Sequence, residues 1–361
     1  MKRIIIQSND LKPALSKLGQ VISTRATQPV LQNILCRVTP GQLELIGTNT
    51  ETTIYYRLAC EAPEAGEFLL PYDFIHELIA LKKNTPLEIE AFKTKVVVSD
   101  EAGSYDAKPY GKLEELPKLQ ELPKKLMIEI DKAVFESMKT AVTTIGNGKI
   151  AGKGLTYVLL ELTDKKMVVA SSDGSYMVYS HEFTSAQTEN ESLLINPKVI
   201  KLLEGEQDLK LSYHSKAIGF TSDRITIVST RSEEKYVNFR KIFPEAWPGN
   251  LKVNRNDLVE ALNICSLAND DLNSTLFTLT KDGVKLSANN SSRNVKYGIK
   301  STYTGSVESV VLNSEKFLRL LSQLDQEEIE LALHEPTKPI VITCNENEGY
   351  KGLIMPIAQK K

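Results

Sequence analysis

Cysteine is scarce and scattered: Cys36, Cys60, Cys265 and Cys344 are the four in 361 residues, with no CxxC pair among them. That spacing suits neither a zinc site nor a disulfide framework and points to reduced thiols in the cytoplasm. Long apolar runs are missing as well. Phe68-Leu69-Leu70 and Ile340-Val341-Ile342 fall far short of the roughly 20 residues a membrane helix requires. The opening MKRIIIQSND turns polar after three isoleucines and reads as a first strand rather than a signal peptide. Charge of one sign is absent too, with 44 Lys and Arg against 46 Asp and Glu, a net of −2. A protein that grips nucleic acid by static phosphate neutralisation is usually strongly basic, so the balance argues against that mode of binding.

The common catalytic arrangements are also lacking. No GxGxxG follows a strand, and Gly148–Gly154 falls one residue short of a phosphate loop, with Gly154 where a Ser or Thr would hold magnesium. The four histidines, His76, His181, His214 and His334, share no paired spacing. Asp270-Asp271 could suggest a two-metal centre, but adjacent side chains point apart, and flanking Asn269 and Asn273 read as a turn. Ser171, Ser172 and Ser175 lack the GxSxG elbow. The reading is of a protein that is not an enzyme and needs no cofactor or metal.

What remains, in a chain with the 41% hydrophobic and 25% charged residues of an ordinary globular protein, is a threefold repeat. An amphipathic helix recurs: Leu11, Ala14, Leu15, Leu18, Val21 and Ile22; then Phe135, Met138, Val142 and Ile145; then Leu258, Ala261, Leu262, Cys265 and Ala268. Asp10, Asp131 and Asp257 lie near the three helix starts, where a carboxylate suits free N–H groups. A strand ending in small polar residues follows each (LELIGTNTE, MVVASSDGS, VKLSANNSS), then a strand running into a second helix (LLPYDFIHELIAL, LINPKVIKLLEG, VLNSEKFLRLLSQL). The offset between copies holds at about 124 residues, then shortens once to about 117, as duplicated domains with one trimmed loop would. Proline-bearing loops set the expected domains at 1–122, 123–247 and 248–361, each an α+β unit with one helix layer on one sheet.

On this repeat sit four motifs by which the whole chain resembles the bacterial β sliding clamps of DNA polymerase III. They are ISTRATQPVLQNIL (Ile22–Leu35), Ser172-Asp173-Gly174 for the family's Thr-Asp-Gly, Phe243-Pro244 for its Phe-Pro-Asp-Tyr turn, and Leu353-Ile354-Met355-Pro356-Ile357 near the end. The resemblance implies three DNA-clamp domains, helices on one face of antiparallel sheets, in a head-to-tail homodimeric ring around duplex DNA. It implies a processivity factor that tethers the replicative polymerase, with the clamp loader and repair proteins as further partners.

A topological link explains the neutral charge, because tight phosphate contacts would stop sliding. A modest lysine lining suffices, without sequence preference. By the resemblance Arg25, Lys149 and Lys153 are DNA-facing loop residues. Lys198, Lys201 and Lys316 are helical candidates, beside Lys12, Lys17, Lys132, Lys139 and Arg319. The family's partner-peptide pocket would be lined here by Leu155, Ser172, Gly174, Ser175, Tyr176, Met177, Pro244, Leu353, Met355, Pro356 and Ile357. Met and aromatic side chains make adaptable apolar walls. Ser175-Tyr176 replaces the family's usual His-Arg, and Glu245–Pro248 its Tyr and basic residues, so the ligand preference is expected to differ, with Tyr176 narrowing or stacking within the pocket. Two other classes stay open at this level. One is a repeat-built enzyme, and the other a clamp-fold scaffold that binds peptides without encircling DNA.

Overall fold

The computed structural model describes residues 2–124, 127–146, 152–174, 177–185, 189–243, 248–322, 324, 326–344 and 349–358. One order of elements recurs three times. The first run is β1 (Lys2–Gln7), α1 (Ser8–Leu18), β2 (Asn33–Thr39), β3 (Gln42–Thr48), β4 (Thr52–Ala59), β5 (Gly66–Pro71), α2 (Tyr72–Leu81), β6 (Pro86–Ala91), β7 (Val96–Asp100) and β8 (Gly103–Ala107). The second is β9 (Ile128–Ile130), α3 (Lys132–Val142), β10 (Val158–Thr163), β11 (Lys166–Ser172), β12 (Met177–Thr184), β13 (Glu191–Ile195), α4 (Pro197–Leu202), β14 (Leu209–Tyr213), β15 (Ala217–Thr221) and β16 (Ile225–Thr230). The third is β17 (Gly249–Asn254), α5 (Arg255–Ser266), β18 (Ser274–Thr280), β19 (Gly283–Asn289), β20 (Asn294–Thr304), β21 (Ser309–Asn313), α6 (Ser314–Leu321), β22 (Glu328–Leu333), β23 (Ile340–Thr343) and β24 (Tyr350–Ile354).

The helix faces read from the spacing are the buried ones: Leu11, Ala14, Leu15 and Leu18 in α1, Phe135 and Met138 in α3, Leu258, Ala261, Leu262 and Cys265 in α5. Asp10 and Asp257 lie in the first turns of α1 and α5. The side-chain caps are asparagines instead. Asn254 accepts from the Asn256 and Asp257 N–H groups and Asn313 from that of Lys316, satisfying donors that the helix itself leaves unpaired. All four cysteines are free thiols.

Two compact units are formed, Met1–Asp131 with Lys201–Ser232, and Lys132–Ile200 with Glu233–Lys361. The first unit holds a four-stranded sheet, β1-β6-β7-β8, and an eight-stranded sheet, β5-β2-β3-β4-β16-β15-β14-β9. The second holds a twelve-stranded sheet, β13-β10-β11-β12-β24-β23-β22-β17-β20-β19-β18-β21. The middle repeat thus gives four strands to each unit.

Two findings correct the single sheet expected per repeat. In the first repeat β1 pairs with β6 rather than β2, so its strands make two sheets. The sheets also run on from one repeat to the next, because edge strands pair and remove exposed N–H and C=O groups. In each of these joints the fourth strand of one repeat pairs with the eighth strand of the following one, β4 with β16 and β12 with β24. The registers match as well: Ile54 lies opposite Ile227 and Tyr179 opposite Gly352, corresponding positions in the repeat.

Candidate functional site

Within the second unit, the β12–β24 pairing brings together two of the motifs read from the sequence. Met177 lies opposite Ile354 and Val178 opposite Leu353. Val178 and Leu353 share a buried cluster with Leu159, Val168, Ala170, Leu194, Phe239 and Val341, against which Tyr157, Tyr236, Phe243 and Met355 pack half-buried. The connector between second and third repeats therefore supplies aromatic rings beside the terminal motif.

The turn from β11 to β12 is tied by its own side chains. Ser172 Oγ donates to the Met177 carbonyl (2.8 Å) and accepts from the Gly174 N–H (3.0 Å). Asp173 Oδ1 accepts from the Met177 N–H (2.8 Å), and its Oδ2 accepts from Lys316 Nζ of α6 at 2.6 Å. Gly174 has φ +80°, a left-handed conformation that suits glycine. On the other side the Ile357 N–H donates to the Val311 carbonyl (2.8 Å), pinning the terminal segment to β21.

Of the eleven residues expected to line the pocket, Ser175, Tyr176 and Pro244 lie outside the described residues. Leu155, Ser172, Met177, Leu353 and Pro356 are buried and can serve only as floor or support. Gly174 is exposed, and Met355 and Ile357 are half-buried, so these form the accessible rim. Met177 pairs opposite Ile354 instead of joining the Val178–Leu353 cluster. Val178, Phe239, Tyr236 and Val341 were not singled out from the sequence. The alternation of MVYSHEF would have separated Val178 from Met177, but the connector aromatics carry no local signal.

The DNA-facing candidates are less uniform than their sequence suggests. Arg25 is exposed in a loop, Lys153 is exposed at the start of a 3-10 turn (Lys153–Thr156), and Lys198 and Lys201 are exposed on α4. Lys149 lies outside the described residues. Lys316 is half-buried in the Asp173 ion pair. Among the additional helical candidates, Lys17 pairs with Glu206 (2.9 Å) and donates to the Leu202 and Glu204 carbonyls. Lys139 pairs with Glu136 and Arg319 with Glu315. Lys12 and Lys132 are exposed.

Nothing catalytic emerges among the described residues. No group of three His, Cys, Asp or Glu is placed to hold a metal ion. Asp270 is a turn residue, its Oδ1 accepting from the Leu272 and Ser274 N–H groups. No described helix is long and apolar enough to cross a membrane.

The N-terminal domain model of the DNA polymerase III beta subunit matches residues 2–119 and its C-terminal domain model matches residues 240–358. The chain belongs to the DNA polymerase III beta subunit family. Among curated relatives, the beta sliding clamp of Pseudomonas putida is 22% identical over 98% of both chains. The sliding clamp of Bacillus subtilis superposes with a TM-score of 0.92 at 16% identity, covering 99% of this chain and all of that one. A Pseudomonas aeruginosa sliding clamp solved bound to griselimycin superposes at 0.89 with 19% identity, covering 99% of this chain and all of that one. The family's members are accessory processivity factors of DNA replication, and this chain is accordingly a clamp subunit and not a catalyst.

Proposed function

We propose that two copies of this chain close head to tail into a ring around duplex DNA, each contributing three domains, 1–122, 123–247 and 248–361. The observation that carries this reading is the pair of strand edges left over by the joints. Fourth strands pair with eighth strands of the next repeat, which leaves β8, the eighth strand of the first repeat, and residues 294–300 of β20, the fourth strand of the last, which pair with β19 alone while residues 301–304 pair with β17. A heterologous contact between β20 of one copy and β8 of another repeats the same joint, and two such contacts close a ring. Transferring the shared register sets Tyr105 of one copy opposite Val295 of the other. In this register Asp106, paired with Lys95 at 3.4 Å, lies opposite Asn294, and Ser104 opposite the exposed Lys296.

The helices that flank these edges support the same seam. At the first joint Lys17 of α1 pairs with Glu206, just after α4. By the repeat, Lys17 corresponds to Ile264 of α5 and the end of α4 to the end of α2. There Leu81 is 86% exposed, and Ile264 lies in an exposed groove with Val259 and Leu267. An ion pair inside the chain is thus replaced by an apolar pair at the seam, in keeping with the more apolar cores of homodimer interfaces.

The ring tethers the polymerase, the clamp loader and repair proteins through the groove of Gly174, Met355 and Ile357, with Leu155, Ser172, Met177, Leu353 and Pro356 beneath; Ser175, Tyr176 and Pro244, outside the described residues, complete the set by the family resemblance. That a relative has been solved with a bound ligand is consistent with such a surface. Arg25, Lys149, Lys153, Lys198 and Lys201 face the DNA, with Lys316 held in part by Asp173, and the ring works on chromosomal DNA in the cytoplasm. The test is solution mass by light scattering, then retention on nicked circular and linearised DNA. A dimer held on circles and lost from linear ends is expected. A monomer, or equal retention on both, overturns the ring and leaves the scaffold that binds peptides alone.

A further inference from the structure

The two joints inside the chain are built alike, and a connector packs on each. Across the first, the connector after β8 runs over one face of the sheet, with Leu113, Leu116, Leu119 and Leu122 half-buried on Leu35, Tyr55, Ala217 and Val228. Its centre is fixed from both sides of the β4–β16 pairing. The Gln120 side-chain amide donates to the Thr50 carbonyl (2.9 Å) before β4 and to Thr230 Oγ1 (2.9 Å) at the end of β16. The Gln120 carbonyl accepts from the Tyr55 hydroxyl at 2.6 Å.

The positions beneath this segment are counterparts of the groove at the second joint. By strand register Val228 corresponds to Leu353, Thr230 to Met355 and Thr48 to Ser172. Thr50, at φ +75°, corresponds to Gly174, at φ +80°. Leu122 sits where the second joint has no equivalent room. A Cβ on Gly219 would fall 2.4 Å from Leu122 Cδ1, and the corresponding residue of β23 is Val341. Gly219 therefore makes the space that Leu122 fills, whereas Val341 closes it.

We propose that Leu119–Leu122 is a resident ligand, occupying in cis a second peptide groove that would otherwise lie across the β4–β16 joint. This rests on reading the second-joint groove as a peptide site. The groove accepts an extended segment with a Gln amide bridging the two strands and leucines on either side of it. Tethering keeps the segment at high effective concentration, so external peptides are shut out and one open groove remains per chain.

The probe is a labelled synthetic peptide of residues 116–124 of this chain, titrated by fluorescence anisotropy into full-length proteins. In Leu119→Ser/Leu122→Ser the resident segment is weakened. That variant is expected to bind one peptide per chain at least tenfold more tightly than the parent, and still to do so when Met355→Lys disables the other groove. No gain over the parent in a folded variant overturns the proposal, as does a gain abolished by Met355→Lys. If the double variant does not fold, Gln120→Ala, which removes only the two amide hydrogen bonds, is read by the same criteria. The second-joint reading fails separately, if the parent chain does not bind a polymerase-derived peptide in a manner sensitive to Met355→Lys.

Discussion

Asp173 shows how much one side chain can organise. Its carboxylate holds the Met177 N–H and Lys316 Nζ together, both at hydrogen-bond distance, in a site where Asp173 is 11% exposed and Lys316 25%. Asp173→Ala takes the acceptor from the Met177 N–H and the carboxylate from Lys316 Nζ, so a loss of about 1–3 kcal/mol is expected in thermal or urea unfolding. Lys316→Ala leaves Asp173 to accept from the Met177 N–H and is expected to cost less. Asp100 offers a pH test. The hydrogen bond from Lys82 Nζ (2.5 Å), joined by the Ala102 and Gly103 N–H groups, holds its carboxyl below the usual carboxylate range although desolvation opposes this. A lowered carboxyl pKa stabilises the fold above its unfolded value, near 4, and that contribution disappears as pH falls through the folded value. Unfolding of the parent and Asp100→Asn should therefore differ by a constant amount down to about pH 4, then converge at lower pH.

At the scale of elements, the decisive feature is which strand edges are used and which are left. Leu81 at the end of α2 is nearly free of the chain that carries it, so Leu81→Lys should leave the unfolding of that chain unchanged. If the end of α2 packs against α5 of a second copy, burying Leu81 contributes about 1.5–3 kcal/mol to the seam. Equilibrium sedimentation of Leu81→Lys should then show the dimer dissociation constant raised by at least about tenfold. An unchanged constant would move the seam away from α2. The same logic explains the connectors: each crosses a joint between repeats and covers apolar surface that strand pairing alone cannot bury.

For the molecule as a whole, near-neutral charge and DNA binding are compatible because linkage can replace affinity. Lys198 and Lys201 are exposed on α4, whereas Lys316 is held by Asp173. Neutralising Lys198 or Lys201 should reduce the log–log salt slope of DNA binding by about one each, while Lys316→Ala changes it little. Retention on circular DNA should survive all three substitutions, since a closed ring does not depend on any one phosphate contact. Loss of retention in a variant that still dimerises would mean that contacts, not closure, hold the DNA.

Leu11-Ala14-Leu15-Leu18 and its two echoes were enough to reveal three copies of one α+β unit, because helical periodicity and repeat spacing are local properties of the chain. The absence of catalytic spacing was equally legible, and Ser172–Gly174 and Leu353–Ile357 stood out through their resemblance to a known family, two segments that the β12–β24 pairing brings together. The pairings β4–β16 and β12–β24 were not legible, since strand partners distant in sequence are chosen by edge geometry and shared register, which no local pattern encodes. The same holds for the aromatic floor from Tyr236 to Phe243, and for the capture of Lys316 by Asp173. A lysine on a helix reads as solvated until the fold sets a carboxylate 2.6 Å away. Sequence determined the kind of unit and how often it occurs. Tertiary structure decided which edges and side chains are consumed within the chain and which are left exposed, because burial and pairing depend on neighbours in space.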